Sequence, residues 1–587
     1  MSRRTADVAV LALVLAWCAA MLHRGEPLAW DEIEFFRATR WIAEGRLPFR
    51  DYWEHHLPLQ WFLFAPVARV FGGGAGADAV VALRWAQVPL WVAALLAMAR
   101  IGSRDTAWLS LPGMEERTDR RPAFLIAAAV LLAAPAFVSS AVQYRVDVPG
   151  TCAFALALAL VAFEQSAARW VAFGALMSLA VLANMRLAPS VIAAAFLMLL
   201  WREGRWRFNV RALWMVPGVA VVAILFLAYL QVTRSWGGFV DGVVRYNRAS
   251  DALVPPEANT FWSRLAGPFL TFDLAAILFW VAAVTGLILI ARTIRTPRPV
   301  HLCAVLAIVT LLVTAVTGVQ YPYHFLITYV LLLPVVAVAA QYVPRRWSLL
   351  LVAVVMVVNV SRISFEAMRY QDRIMRLTDA RTTPGDRVWD GCGYALRRDP
   401  AYRYWFLPAG VRLMAERRLI APYDLQQFLA DPPAAIVYNE RIRHWLGAFP
   451  HLGAYVVRHY LPLERNLWIP GLTALVDSRS RYAGWLVPRS GRYEVHASVL
   501  LAKHPWITHP LRYASMHGSD LAIPLTRLPR VPVEVRVDGV AVAPGILDLK
   551  QGSRLELRYG GDAAAGVLVV PAGTKTVCAA PDGAFIF

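Results

Sequence analysis

Apolar stretches of about 20 residues recur through residues 1–361, separated by short arginine-rich clusters. A run of that length spans the hydrocarbon core of a bilayer as a helix, and the bilayer admits only segments whose backbone groups pair internally. The repetition therefore restricts the chain to a polytopic α-helical membrane protein. Composition agrees: 58% of the 587 residues are hydrophobic and 17% are charged. The net charge of +19 does not gather into one stripe but falls between apolar runs, as in cytoplasmic loops. No nucleic-acid partner is expected. The excess suits membrane lipids and phosphate, and the 22 tryptophans and 20 tyrosines suit the headgroup belts.

The basic SRR at residues 2–4 places the N-terminus in the cytoplasm, and residues 6–23 cross outward as an uncleaved span. Residues 58–71 carry Pro58 and Pro66 and are short for a span, so they read as an in-plane or re-entrant helix. Spans follow at 80–100, 122–142, 149–163, 170–187, 188–201, 212–232, 267–291, 300–319, 325–342 and 347–361, about 11 in all, with basic inner loops. Residues 1–361 thus form a transmembrane domain.

The remainder holds no further span and is expected outside the cytoplasm. Residues 362–480 read as α/β, with strands in TPGDRVWD and PPAAIVYN and a helix in RHWLGAFPHL. Residues 481–587 read as a small β-sandwich from the alternation in SGRYEVHASVLL, VPVEVRVDGVAV, GILDLKQGSRLELRY and GVLVVPAG. Cys392 and Cys578 fall in this region, and sequence leaves their pairing open.

Charge at a bilayer boundary is costly and usually functional, and the outer loops hold several such residues. Asp31 and Glu32 open a short amphipathic helix with Phe35, Ala38 and Ile42 on one face. Asp31 with Glu34 reads as a helix cap, and a general base for a hydroxyl nucleophile is a second option for Asp31. Glu54, His55 and His56 precede Leu57-Pro58; the imidazoles are interfacial polar residues or donors to a phosphate or hydroxyl. A metal needs converging ligands, and three adjacent side chains are not expected to converge, so no metal is assigned.

Tyr144-Arg145-Val146-Asp147 is an ion pair at a helix end, or an arginine that grips phosphate beside a second carboxylate. Arg186, with Asn184 at an outer hairpin tip, snorkels or captures phosphate. Tyr321, Tyr323 and His324 crown a later span, as belt residues or as part of a site. Arg245, Tyr246 and Arg248 are weaker candidates. Walker, GxGxxG, HExxH and paired CxxC motifs are missing from the sequence.

The Asp31-Glu32 pair after the first span, His56 and Pro58 with their short helix, Arg145-x-Asp147 in the next outer loop and the hairpin cation Arg186 resemble the GT-C membrane glycosyltransferases. Within that class the chain resembles protein mannosyltransferases, lipid A aminoarabinose transferases and bacterial Rgt-like relatives, over roughly residues 1–360. The resemblance implies a polyprenyl-phosphate sugar donor and inverting transfer on the periplasmic face of a bacterial inner membrane. The acceptor would be lipid A, a polysaccharide or a protein, and no cofactor is implied. Asp31 matches the catalytic carboxylate that takes the acceptor proton, and Asp147 the second one. His56 and Pro58 match an H-P-P stretch in which Leu57 replaces the first proline, and Arg186 stands where the family usually has lysine. Glu32, His55, His56, Arg145, Arg186, Tyr323 and His324 complete the expected substrate-binding set.

A phosphate leaving group needs cationic stabilisation rather than a protonating acid, which Arg145 or Arg186 can supply. A base opposite it gives single displacement with inversion. Two other readings stay open: a transporter or flippase of lipid-linked sugars, which broken helices and mid-span charges would favour, and a non-catalytic envelope assembly protein.

Overall fold

A computed structural model describes residues 3–74, 76–105, 120–202, 205–253, 261, 273–292, 298–316, 321–464, 466–504 and 522–577. The chain divides into two compact units, Met1–Gly74 with Asp78–Phe365, and Ala75–Ala77 with Glu366–Phe587.

The first unit is helical and identifies a multi-pass membrane protein. Five helices among the described residues are long and apolar enough to span: Asp78–Gly102, Val210–Val232, Leu274–Ala291, Pro299–Val316 and Pro322–Ala340. Counting each bent helix pair as one span raises the number to eight, and Asp147–Val161, Ala167–Ala183 and Met185–Leu199 are shorter apolar helices. The expected total of 11 is not fixed by these lengths.

Two of the breaks have local causes. Glu26 is extended before Pro27, and the helices Ala9–Gly25 and Trp30–Ala43 meet there at 74°. Ala134 is extended before Pro135, and the run expected as one span over 122–142 bends by 79°. Leu59–Phe71 is a single 13-residue helix that begins after Pro58 and contains Pro66.

Packing sorts the apolar helices by environment. Every residue of Leu326–Ala340 is buried, so this helix is the core around which Arg120–Ala133, Leu274–Ala291 and Pro299–Val316 pack. Val210–Val232 instead exposes Val216, Val221, Ile224 and Leu225, a surface suited to lipid.

In the second unit, strands Arg387–Trp389 and Ala435–Val437 pair in parallel within a five-stranded sheet. The RHWLGAFPHL segment forms two helices, Glu440–Ala448 and Pro450–His459, because Pro450 cannot continue the first. Further along, two four-stranded antiparallel sheets enclose an apolar core that includes Leu472, Trp485, Val535, Leu555 and Val567. Asp538 and Gly539, with φ of 51° and 84°, make the tight turn that the VDG triplet predicts. Cys392 is buried, and Cys578 lies outside the described residues, as does any pairing between them.

Candidate functional site

The break after the first helix sets up the site. Ala29 is extended and is the cap position, Trp30 is the first helical residue, and Glu32 accepts the Ala29 N–H at 3.4 Å. The helix thus starts two residues before the place that an Asp31–Glu34 box requires. Asp31 falls in the first turn, and its carboxylate is not the cap.

Glu32 turns inward. Its two oxygens accept from Arg84 Nε and Nη2 at 2.5 and 2.6 Å, and Oε1 also accepts the Tyr144 N–H at 2.8 Å. The Arg84 guanidinium also donates to the carbonyls of Glu26 and Pro27. Both side chains are fully buried. A bidentate pair with its remaining donors satisfied is the form in which two charges tolerate burial. Glu32 therefore positions the Tyr144–Asp147 turn against the helix, and this geometry leaves it no face for a ligand, unlike the substrate contact expected of it.

That turn carries the centre of the site. Arg145 Nη2 donates to Asp31 Oδ2 at 2.8 Å, Nε to Asp147 Oδ2 at 3.3 Å, and Nη1 to Gln143 Oε1 at 3.4 Å. The guanidinium lies 3.4 Å from the Tyr323 ring centroid, and the Tyr323 hydroxyl donates to Asp31 Oδ2 at 3.3 Å. Burial alone would push the Arg145 pKa down, but Tyr323 and the two carboxylates outweigh it and hold the pKa above its ordinary value.

A second chain of contacts runs from Asp147. Asn184 Nδ2 donates to Asp147 Oδ1 at 2.7 Å, and Asn184 Oδ1 accepts the Arg186 N–H at 3.0 Å. Asn184 is extended between Ala167–Ala183 and the short turn Met185–Leu187, and this break brings the hairpin tip to the site. Arg186 Nη1 lies 2.7 Å from His324 Nε2; since a guanidinium only donates, that nitrogen accepts and the imidazole is not doubly protonated. The tyrosines beside it stack, Tyr321 on Tyr323.

Six residues singled out in the sequence thus meet: Asp31, Arg145, Asp147, Arg186, Tyr323 and His324. Their accessibility differs. The Asp31 side chain is 28% exposed, against 6% for Asp147 and 3% for Arg145. Asp31 is the more accessible of the two carboxylates, and Arg186 is exposed.

His55 and His56 form a separate group. With Glu54 and Glu34 they bring four ligand atoms within 4.8 Å of one another. The expectation that the adjacent trio would not converge is corrected: Glu34, one helical turn beyond Asp31, supplies the point on which they close. Tyr246 packs on Trp53 and His55 in this group, whereas Arg245 and Arg248 are exposed.

Sequence reasoning gave no role to Arg84, Asn184 or Gln143. Arg84 had a readable signal, a charge inside an apolar run. Asn184 was visible as a polar break, but its partner Asp147 lies 37 positions away.

No protein-family model matches the chain, and no curated protein matches it in sequence. Among solved structures it is similar to ArnT from Cupriavidus metallidurans in the apo state, at TM-score 0.50 and 14% identity over 76% of this chain and 95% of that one. ArnT from the same organism bound to undecaprenyl phosphate matches at TM-score 0.46 and 13% identity, over 83% and 97%. At 14% identity the first match establishes a shared fold with that structure.

Proposed function

We propose that this chain is an inverting glycosyltransferase that moves a sugar from a polyprenyl-phosphate donor to a lipid, glycan or protein acceptor on the periplasmic face of a bacterial inner membrane. One observation carries the reading: the half-buried carboxylate of Asp31 is gripped at 2.8 Å by the buried Arg145 and faces an assembly that ends in the exposed cation Arg186.

The chemistry follows from those positions. The acceptor hydroxyl attacks the anomeric carbon and its proton passes to Asp31. The bond from that carbon to the phosphate oxygen breaks, and polyprenyl phosphate leaves with the electron pair. A phosphate is a competent leaving group without protonation, so it needs a cation rather than an acid. Arg186 is better suited to this than Arg145, whose donors already serve Asp31, Asp147 and Gln143. Tyr323 and Arg145 together hold the Asp31 carboxylate in the fixed orientation that a base requires. Asp147, fastened by Asn184, fixes the other edge of Arg145. The basic inner loops support the periplasmic orientation.

The experiment compares purified wild-type protein and Asp31→Asn, each shown to be folded, with a panel of radiolabelled polyprenyl-phosphate sugars and a host membrane extract as acceptor. Transfer by wild type and its loss in Asp31→Asn is the expected result. Equal transfer by both removes Asp31 as the base, and no transfer from any donor overturns the reading in favour of transport or assembly.

A further inference from the structure

Beside the Asp31–Arg145 assembly lies a group of side chains for which the proposed transfer has no use. Glu34 and Glu54 are fully buried. A buried carboxylate needs a positive partner or several donors. Glu54 Oε1 has donors, the backbone N–H groups of His55 and His56 at 2.8 and 3.1 Å. Glu54 Oε2 is buried and has no hydrogen-bond partner among the described residues.

One imidazole meets a carboxylate at hydrogen-bond distance, His56 Nδ1 with Glu54 Oε1, and the other approaches are longer. His55 Nδ1 is 3.5 Å from Glu34 Oε1 and 3.5 Å from Glu54 Oε1; His56 Nδ1 is 3.7 Å from Glu34 Oε1 and 3.2 Å from Glu54 Oε1. Three of these four separations exceed the usual N–H···O range of about 2.7–3.2 Å. They match a different spacing. Around a tetrahedral zinc ion, with bonds of roughly 2.0–2.2 Å, neighbouring nitrogen and oxygen ligands sit about 3.4 Å apart. All four ligand atoms lie within 4.8 Å of one another.

We propose that Glu34, Glu54, His55 and His56 bind one divalent transition-metal ion, with zinc as the best-fitting member of that class. Two carboxylates with two neutral imidazoles carry a charge of −2, which a divalent cation balances. Nitrogen and oxygen donors without a thiolate suit zinc and its neighbours rather than a soft ion, and two imidazoles argue against magnesium or calcium.

The surroundings hold the donors in place. The His55 ring stacks on Trp53 and meets the edge of Tyr246, and His56 packs edge-on against Phe35. Asn247 Nδ2 donates to the His55 carbonyl at 3.1 Å. Gly242 passes so close that a Cβ there would lie 1.9 Å from the Glu54 carbonyl oxygen, so only glycine lets the Val240–Tyr246 turn clamp this loop. A bound ion fastens residues 53–57 to the helix that carries Asp31, one turn away.

Metal content tests this independently of any transfer activity. Full-length protein carrying a tag without histidine is purified in nanodiscs, loaded with zinc, dialysed, and assayed for metal per chain by mass spectrometry. Wild type is expected to retain about one zinc per chain, and His56→Ala and Glu34→Gln are expected to bind it at least tenfold more weakly. Cobalt loading is the second measurement. The intact wild type is expected to show the visible bands of a four-coordinate nitrogen–oxygen site, bleached by added zinc, whether or not a variant folds. Wild type that holds neither zinc nor cobalt overturns the proposal, as do folded variants that retain zinc undiminished.

Discussion

Asp31 and Glu32 are consecutive residues of one helix, each paired with an arginine, and the two pairs are built for opposite ends. Glu32 with Arg84 is closed: both side chains are fully buried, and backbone groups take the donors and acceptors left over. Asp31 with Arg145 is open: its guanidinium is buried and shared between two carboxylates, while Asp31 keeps 28% of its side chain exposed. The difference teaches that an arginine–carboxylate contact has no fixed meaning. Completely satisfied and buried, it holds a fold together; left accessible on one side, it presents a reactive group in a fixed orientation.

The sharpest way to break the comparison is to remove each arginine. Arg84→Met strands the Glu32 carboxylate in the interior and is expected to destabilise the protein by about 3–5 kcal/mol. The drop in melting temperature in nanodiscs should exceed that of Arg145→Met, and an equal drop means the two pairs are not distinct.

Exchanging the carboxylates should cross over. Asp31→Asn is expected to lower kcat about 10²- to 10⁴-fold at nearly unchanged melting temperature. Glu32→Gln is expected to melt earlier while each folded molecule keeps most of its activity. Parallel losses in both variants would merge the two roles.

At the outer edge, Arg186→Ala removes the charge-assisted contact to phosphate that we propose and should raise KM for the donor about tenfold, with Arg186→Lys recovering part of it. An unchanged KM in both would return the phosphate to Arg145.

The smallest effect lies with a sheltered imidazole that burial keeps neutral in the folded protein. Burial first, and Arg458 second, push the His459 pKa down from 6.5 to about 4. Because the folded form binds its proton later than the unfolded chain, this contribution to stability is intact above pH 6.5 and is lost as pH falls towards about 4. His459→Gln should flatten the melting-temperature profile between pH 7 and pH 5; an unaltered slope would show that another group sets it.

Much of this protein was legible in its residues. Each apolar run, the hairpin tip at Asn184–Arg186 and the turn at Asp538–Gly539 depend on local composition or on a local backbone requirement, which sequence carries directly. The bend at Pro135 was equally local and was missed because an apolar run hides it. The start of the Asp31 helix was misjudged since Ala29 lacks a capping oxygen, and the nearest residues with one drew the boundary two positions late.

Sequence alone determined that the chain is a membrane protein of this architecture and that Asp31, Arg145, Asp147, Arg186, Tyr323 and His324 were worth watching, because hydropathy and charge placement are properties of short stretches. Tertiary structure decided what each of them is. Arg145 reaches Asp31 across 114 positions and Tyr323 reaches it across 292, and Glu34 joins His55 and His56 from a different element. Those distances close only when helices pack, since helix packing, rather than any neighbour in the chain, fixes which carboxylate is buried and which remains within reach of a substrate.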